Sequence, residues 1–74
     1  MQTVTIHTEY IKLESLLKLC GAAGTGGAAK TAIQNGQIAV NGAVCLQRGK
    51  KLRAGDTVTW SGIDGGWTVA VDEN

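Results

Sequence analysis

Three groups of residues in this chain have the types and spacing to do chemistry. The first is Gly24-Thr25-Gly26-Gly27-Ala28-Ala29-Lys30-Thr31, which departs from the phosphate-binding loop G-x-x-x-x-G-K-[ST] only at Ala29, where the second glycine belongs. A true phosphate loop follows a buried parallel strand, whereas an amphipathic helical stretch precedes this one, and no apolar strand ending in a Mg²⁺-binding Asp is present. A nucleotide-binding enzyme is therefore a remote alternative. What survives is a helix start whose free N–H groups, uncrowded at Gly26 and Gly27, join Lys30 one turn on to make an anion site. An ordinary threonine cap with glycines admitted for close packing explains the same residues, and both readings stand.

The second group is Arg48-Gly49-Lys50-Lys51-Leu52-Arg53, which holds four of the seven basic residues in six positions. Such a run is either a solvated loop or a surface for phosphates. Its coincidence with the Asn41-Gly42 hairpin before it and the glycine-rich helix start at Thr25 favours the second. The net charge is only +1, yet from Ser15 through Gly55 there are six basic residues (Lys18, Lys30, Arg48, Lys50, Lys51, Arg53) and no acidic one. Lys12 and all six acids (Glu9, Glu14, Asp56, Asp64, Asp72, Glu73) lie outside that stretch. A basic face and an acidic remainder are expected, and the local field is what an anionic partner meets.

The third group is Cys20, Cys45 and His7. The cysteines stand 25 positions apart with no CxxC and no clustered His, so no metal site is expected, and they read as reduced, partly buried thiols. His7 reads as a surface strand residue. No acid pair and no Cys–His arrangement is placed for acid–base or nucleophilic work, so neither a catalytic residue nor a cofactor is expected. With no basic leader followed by an apolar core and no run of about 18 apolar residues, the chain reads as cytoplasmic, with no membrane partner.

These residues must be positioned by a small scaffold. Seventy-four residues make one domain, 1–74, which buries only about 60% of its unfolded surface, so function should sit outside a thin core. Tyr10, Trp60 and Trp67 are the three aromatics, leaving Val, Ile, Leu and Ala to build that core; the tryptophans read as core or sheet-face residues.

Val4 and Ile6 indicate an opening strand. Leu13, Leu16, Leu17 and Cys20 stand at i, i+3, i+4 and i+7, the stripe of an amphipathic helix that Gly21 would stop. Thr25 should cap a second helix running to about Asn35, closed by Gly36, with Ala28, Ala29, Ala32 and Ile33 on its buried side. Asn41-Gly42 between Ile38–Val40 and Ala43–Val44 calls for a type I′ hairpin turn. Gln47 to Gly55 reads as a basic loop, and Thr57–Trp60 and Trp67–Val71 as a second hairpin around Gly62–Gly66, ending in an acidic tail. The fold class is α+β: two short packed helices followed by a small, mainly antiparallel sheet.

Three spaced segments together match a known pattern. They are Ile11-x-Leu13-x-x-Leu16-Leu17-Lys18-x-x-Gly21; Thr25-Gly26-Gly27-x-Ala29-Lys30-x-x-Ile33-x-x-Gly36-x-Ile38-x-Val40-Asn41-Gly42; and Arg48-x-Lys50-Lys51-Leu52-x-x-Gly55-Asp56-x-Val58. Over roughly residues 11 to 60 the chain resembles the small RNA-binding domain named after the fourth protein of the small ribosomal subunit, and most of all its stand-alone bacterial form. The resemblance implies an L-shaped helix-and-hairpin surface that grips structured RNA, typically ribosomal or transfer RNA, without catalysis. It implies an RNA face at Thr25, Gly26, Gly27 and Lys30, with Asn41 marking the hairpin and Arg48, Lys50, Lys51 and Arg53 the following loop. Many members carry an arginine where this chain has Gly26, which implies a weaker grip at that point or a different target. The alternative from another class is a protein interaction module at the ribosome, with ribosomal proteins as partners.

Overall fold

The computed structural model describes residues 1–72; Glu73, half of the expected acidic tail, and Asn74 lie outside the described residues. The chain runs β1 (Gln2–Ile6), β2 (Ile11–Lys12), α1 (Leu13–Leu19), α2 (Gly26–Gln34), β3 (Ile38–Val40), β4 (Ala43–Val44), β5 (Lys51–Leu52), β6 (Thr57–Trp60) and β7 (Trp67–Val71). It is an α+β fold measuring 36 × 21 × 18 Å.

Both helices form where their stripes and caps predict. In α1, Leu13, Leu16 and Leu17 are fully buried, Cys20 is the C-cap, and Gly21 takes φ +78° to turn the chain. At the start of α2 the Thr25 hydroxyl accepts the Ala28 N–H at 3.1 Å, and Gly36 closes the helix at φ +74°. The buried stripe of α2 is Ala29, Ala32 and Ile33, so its small side chains let α1 pack closely. Ala28 was expected there and is exposed instead; it stands one position ahead of Ala29, on the solvent side of a narrow stripe.

Five strands form one sheet in the order β1-β7-β6-β3-β4. The Asn41-Gly42 turn has φ +52° and +85°, the two positive values a type I′ hairpin needs, and it pairs Val40 with Ala43. Trp67, Val58 and Val40 face one another across β7, β6 and β3, all buried, and Ile38 stands opposite Trp60. Trp67 and the partly buried Trp60 thus belong to the core, as their strand positions predict.

Two departures from the sequence expectation matter. The sheet is mixed rather than antiparallel throughout, because β1 adds to its outer edge parallel to β7, from Gln2 opposite Trp67 to Ile6 opposite Val71. Residues 47–55 are not all loop: β5 pairs antiparallel with β2 as a separate two-stranded ladder, and Leu52 is fully buried in the core. Leu52, the one apolar side chain of β5, ties that strand to the core.

Candidate functional site

The basic segment is held by its backbone. The residue opening α1, Lys12, makes no side-chain cap, and the first helical N–H groups find other acceptors: Leu13 donates to the Lys50 carbonyl at 2.9 Å and Glu14 to that of Arg48 at 3.2 Å. Carbonyls of the segment are drawn onto α1 while Arg48, Lys50, Lys51 and Arg53 keep exposed side chains. The adjoining ladder sets Ile11 against Leu52 and Lys12 against Lys51. Two lysines directly opposite each other repel, so stability alone does not explain the pair. Next to them Tyr10 gathers two cations: the Lys51 Nζ lies 4.8 Å and the Arg53 guanidinium carbon 5.8 Å from the ring centroid.

A polar lock joins this segment to the Asn-Gly hairpin. Asn41 Nδ2 donates to Asp56 Oδ1 at 3.1 Å, and Asn41 Oδ1 accepts the Thr57 N–H at 2.9 Å and its hydroxyl at 3.3 Å. Asp56 Oδ2 accepts the Arg53 N–H at 2.8 Å, and the Asp56 N–H returns to the Arg53 carbonyl at 3.0 Å, closing a tight turn in which Gly55 has φ +92°. The Arg53 N–H, the Asn41 amide and then the charges of Lys50 and Arg53 hold the Asp56 carboxyl below its ordinary pKa, outweighing the opposing effect of partial burial. Asp56 thus stays ionised among the cations and orders their backbone.

The structure brings together most, not all, of the residues singled out by sequence. Arg48, Lys50, Lys51 and Arg53 share one segment with Lys12 and Tyr10, and Asn41 is tied to it through Asp56. Thr25, Gly26, Gly27 and Lys30 stand at the start of α2, which is entered from the opposite end of α1; Thr25, Gly27 and Lys30 are exposed. With the Ala28 N–H taken by the cap, Gly26 and Gly27 are the positions whose N–H groups an anion there would use. The near-phosphate segment starts in the connection between two helices and runs into α2, with no strand directly before it. Tyr10 and the central placement of Lys12 escaped sequence reasoning, since both depend on the β2–β5 pairing. Leu52 flanked by Lys51 and Arg53 was the available signal: inward, outward alternation in a cationic run.

Cys20 and Cys45 are free, partly buried thiols, and no group of three metal-ligating side chains gathers among the described residues. No helix among those residues is long and apolar enough to cross a membrane.

Two helices against a mixed sheet, with a basic strand-and-loop segment locked to an Asn-Gly hairpin, define the class. The chain belongs to the S4 domain family, whose model matches residues 4–66. Among curated proteins it is similar to the "Putative RNA-binding protein YbcJ" of Escherichia coli strain K12, with 43% identity over 53 residues, which cover 72% of this chain and 76% of that protein. The "Uncharacterized protein YbcJ" of Shigella flexneri matches with the same identity and coverage. The solution structure of E. coli YbcJ, described as revealing an "ALFAL motif involved in RNA-binding", superimposes with a TM-score of 0.71 at 37% identity, covering 95% of this chain and 87% of that one.

Proposed function

We propose that this protein binds structured RNA, ribosomal or transfer RNA being the leading targets, as a non-enzymatic cytoplasmic protein. The observation that carries the reading is the cationic ladder: Lys12 faces Lys51 across β2 and β5, at a cost in stability, beside Arg48, Lys50 and Arg53 on a backbone held by α1 and Asp56. A fixed array of cations suits the phosphates and 2′-hydroxyls of an A-form surface, whose base edges lie out of reach in a deep groove. Thr25, Gly26, Gly27 and Lys30 extend the contact along α2, and Asn41 acts by holding the hairpin to the basic segment. Ribosomal proteins are candidate neighbours at such a site. The description of the E. coli relative as RNA-binding supports the reading.

The test is a double charge reversal, Lys50→Glu with Lys51→Glu. Both side chains are exposed, so each change should shift stability by only about 0.5 kcal/mol or less, while RNA binding is lost. A double variant that is folded by circular dichroism and binds RNA as well as the parent would remove the basic segment from the site.

A further inference from the structure

The basic segment has an apolar neighbour. Beyond the Asn-Gly turn, β4 forms the outer edge of the sheet, and the chain continues through Cys45, Leu46 and Gln47 into the cations. Val44 is 64% exposed and Leu46 60%. Together with Asn41, Cys45, Gln47 and Lys50 they line an open groove of about 430 Å³; no acid lines it. Its size is within the roughly 300–1,000 Å³ of small-molecule clefts. Val44 is backed by the end of α2, since a side-chain carbon placed on Gly36 would lie 3.8 Å from Val44 Cγ1.

We propose that this groove receives one unpaired nucleobase of the bound RNA. The inference rests on the RNA-binding reading and deepens it: the target is a folded RNA with a base displaced from its helix, not a continuous duplex. An occupant must cover exposed aliphatic carbon, offer hydrogen-bonding groups to the Gln47 amide, and carry negative charge within reach of Lys50. A nucleotide has all three, in its flat faces, its base edge and its phosphate. A continuous duplex keeps its bases stacked and turns sugar and phosphate outward, leaving Val44 and Leu46 in water. Trp60 and Trp67 are packed in or against the core and the Tyr10 ring is already taken up by Lys51 and Arg53, which leaves this aliphatic strip open to a base. A wholly apolar peptide would leave the Lys50 charge in the groove lining without a partner, whereas a nucleotide's phosphate answers it.

Two RNA hairpins of identical stem, one continuous and one carrying a single unpaired 5-iodouridine, separate the possibilities. The protein should bind the bulged hairpin about tenfold more tightly, from the aliphatic area the base covers, and ultraviolet crosslinking should join the iodouridine to Cys45. Val44→Ser with Leu46→Ser should lose that preference while binding the continuous hairpin as the parent does. Equal binding of the two hairpins, with crosslinks elsewhere, would overturn the base groove and leave RNA binding intact. Should the double serine variant fail to fold, the crosslink position in the unaltered protein decides alone. If neither hairpin binds even at low salt, the RNA-binding reading falls and the groove proposal with it, and the apolar strip becomes a surface for a protein partner.

Discussion

Asn41 both makes the hairpin turn and ties it to the basic segment. Its backbone occupies the left-handed region at φ +52°, and its amide bridges Asp56 and Thr57 across fifteen and sixteen positions of chain. The two duties separate by substitution. Asn41→Gly keeps the backbone freedom and removes the amide bonds, which should cost about 1–2 kcal/mol in chemical denaturation. Asn41→Ala should cost roughly 1 kcal/mol more, for the left-handed backbone of a residue with a Cβ. Equal losses would mean that the turn geometry contributes nothing. Lys12 calls for the opposite sign. Lys12→Gln removes a like-charge pair opposite Lys51 and should leave thermal stability unchanged or slightly raised, while the salt dependence of RNA binding becomes shallower by about one unit of slope. A clear drop in melting temperature with unaltered RNA binding would make Lys12 a structural residue.

At the scale of elements, the helices and the first hairpin were legible because their signals are local. The leucine stripe, the Thr25 cap, Gly21, Gly36 and Asn41-Gly42 each act within a few residues of themselves. The β2–β5 ladder and the parallel β1–β7 pair were not legible, since their partners lie about forty and sixty-five positions apart and β5 offers a single apolar side chain. Glycines behave the same way. Gly62–Gly66 reads only as a turn, but a Cβ on Gly66 would come within 2.6 Å of the Val58 carbonyl oxygen, a close approach visible only after β6 and β7 are paired. The start of α2 carries the element-scale prediction. A Cβ on Gly27 would meet the Thr25 Oγ1 at an ordinary 3.8 Å, so the site accepts a side chain. Gly27→Asp should then stabilise the fold by about 0.5–1 kcal/mol through helix propensity and the favourable charge at the helix start. The same carboxylate should weaken RNA binding, whereas Gly27→Ala should tighten folding and leave binding alone. Normal binding by Gly27→Asp would reduce Gly26 and Gly27 to packing residues.

Across the whole molecule, a net charge of +1 conceals a division that the chain order already contains, with six cations and no acid between Ser15 and Gly55. All seven basic side chains are exposed in the fold. What the sequence could not supply was their grouping. Lys12, outside the run, joins Arg48, Lys50, Lys51 and Arg53 through a strand pair, while Lys30 stands on a different element, α2. Not all seven can face one groove, and about four neutralised phosphates is the expectation. Counterion release then sets the measurement that tests the central claim most directly: the affinity for a folded RNA as a function of salt. The logarithm of the affinity should fall linearly with the logarithm of salt concentration, with a slope between about −3 and −4. Unfolding the RNA to a single strand of the same sequence should weaken binding more than exchanging base pairs within the intact fold. A slope near zero, or a strong preference for one unpaired sequence that survives high salt, would contradict recognition through a fixed array of cations.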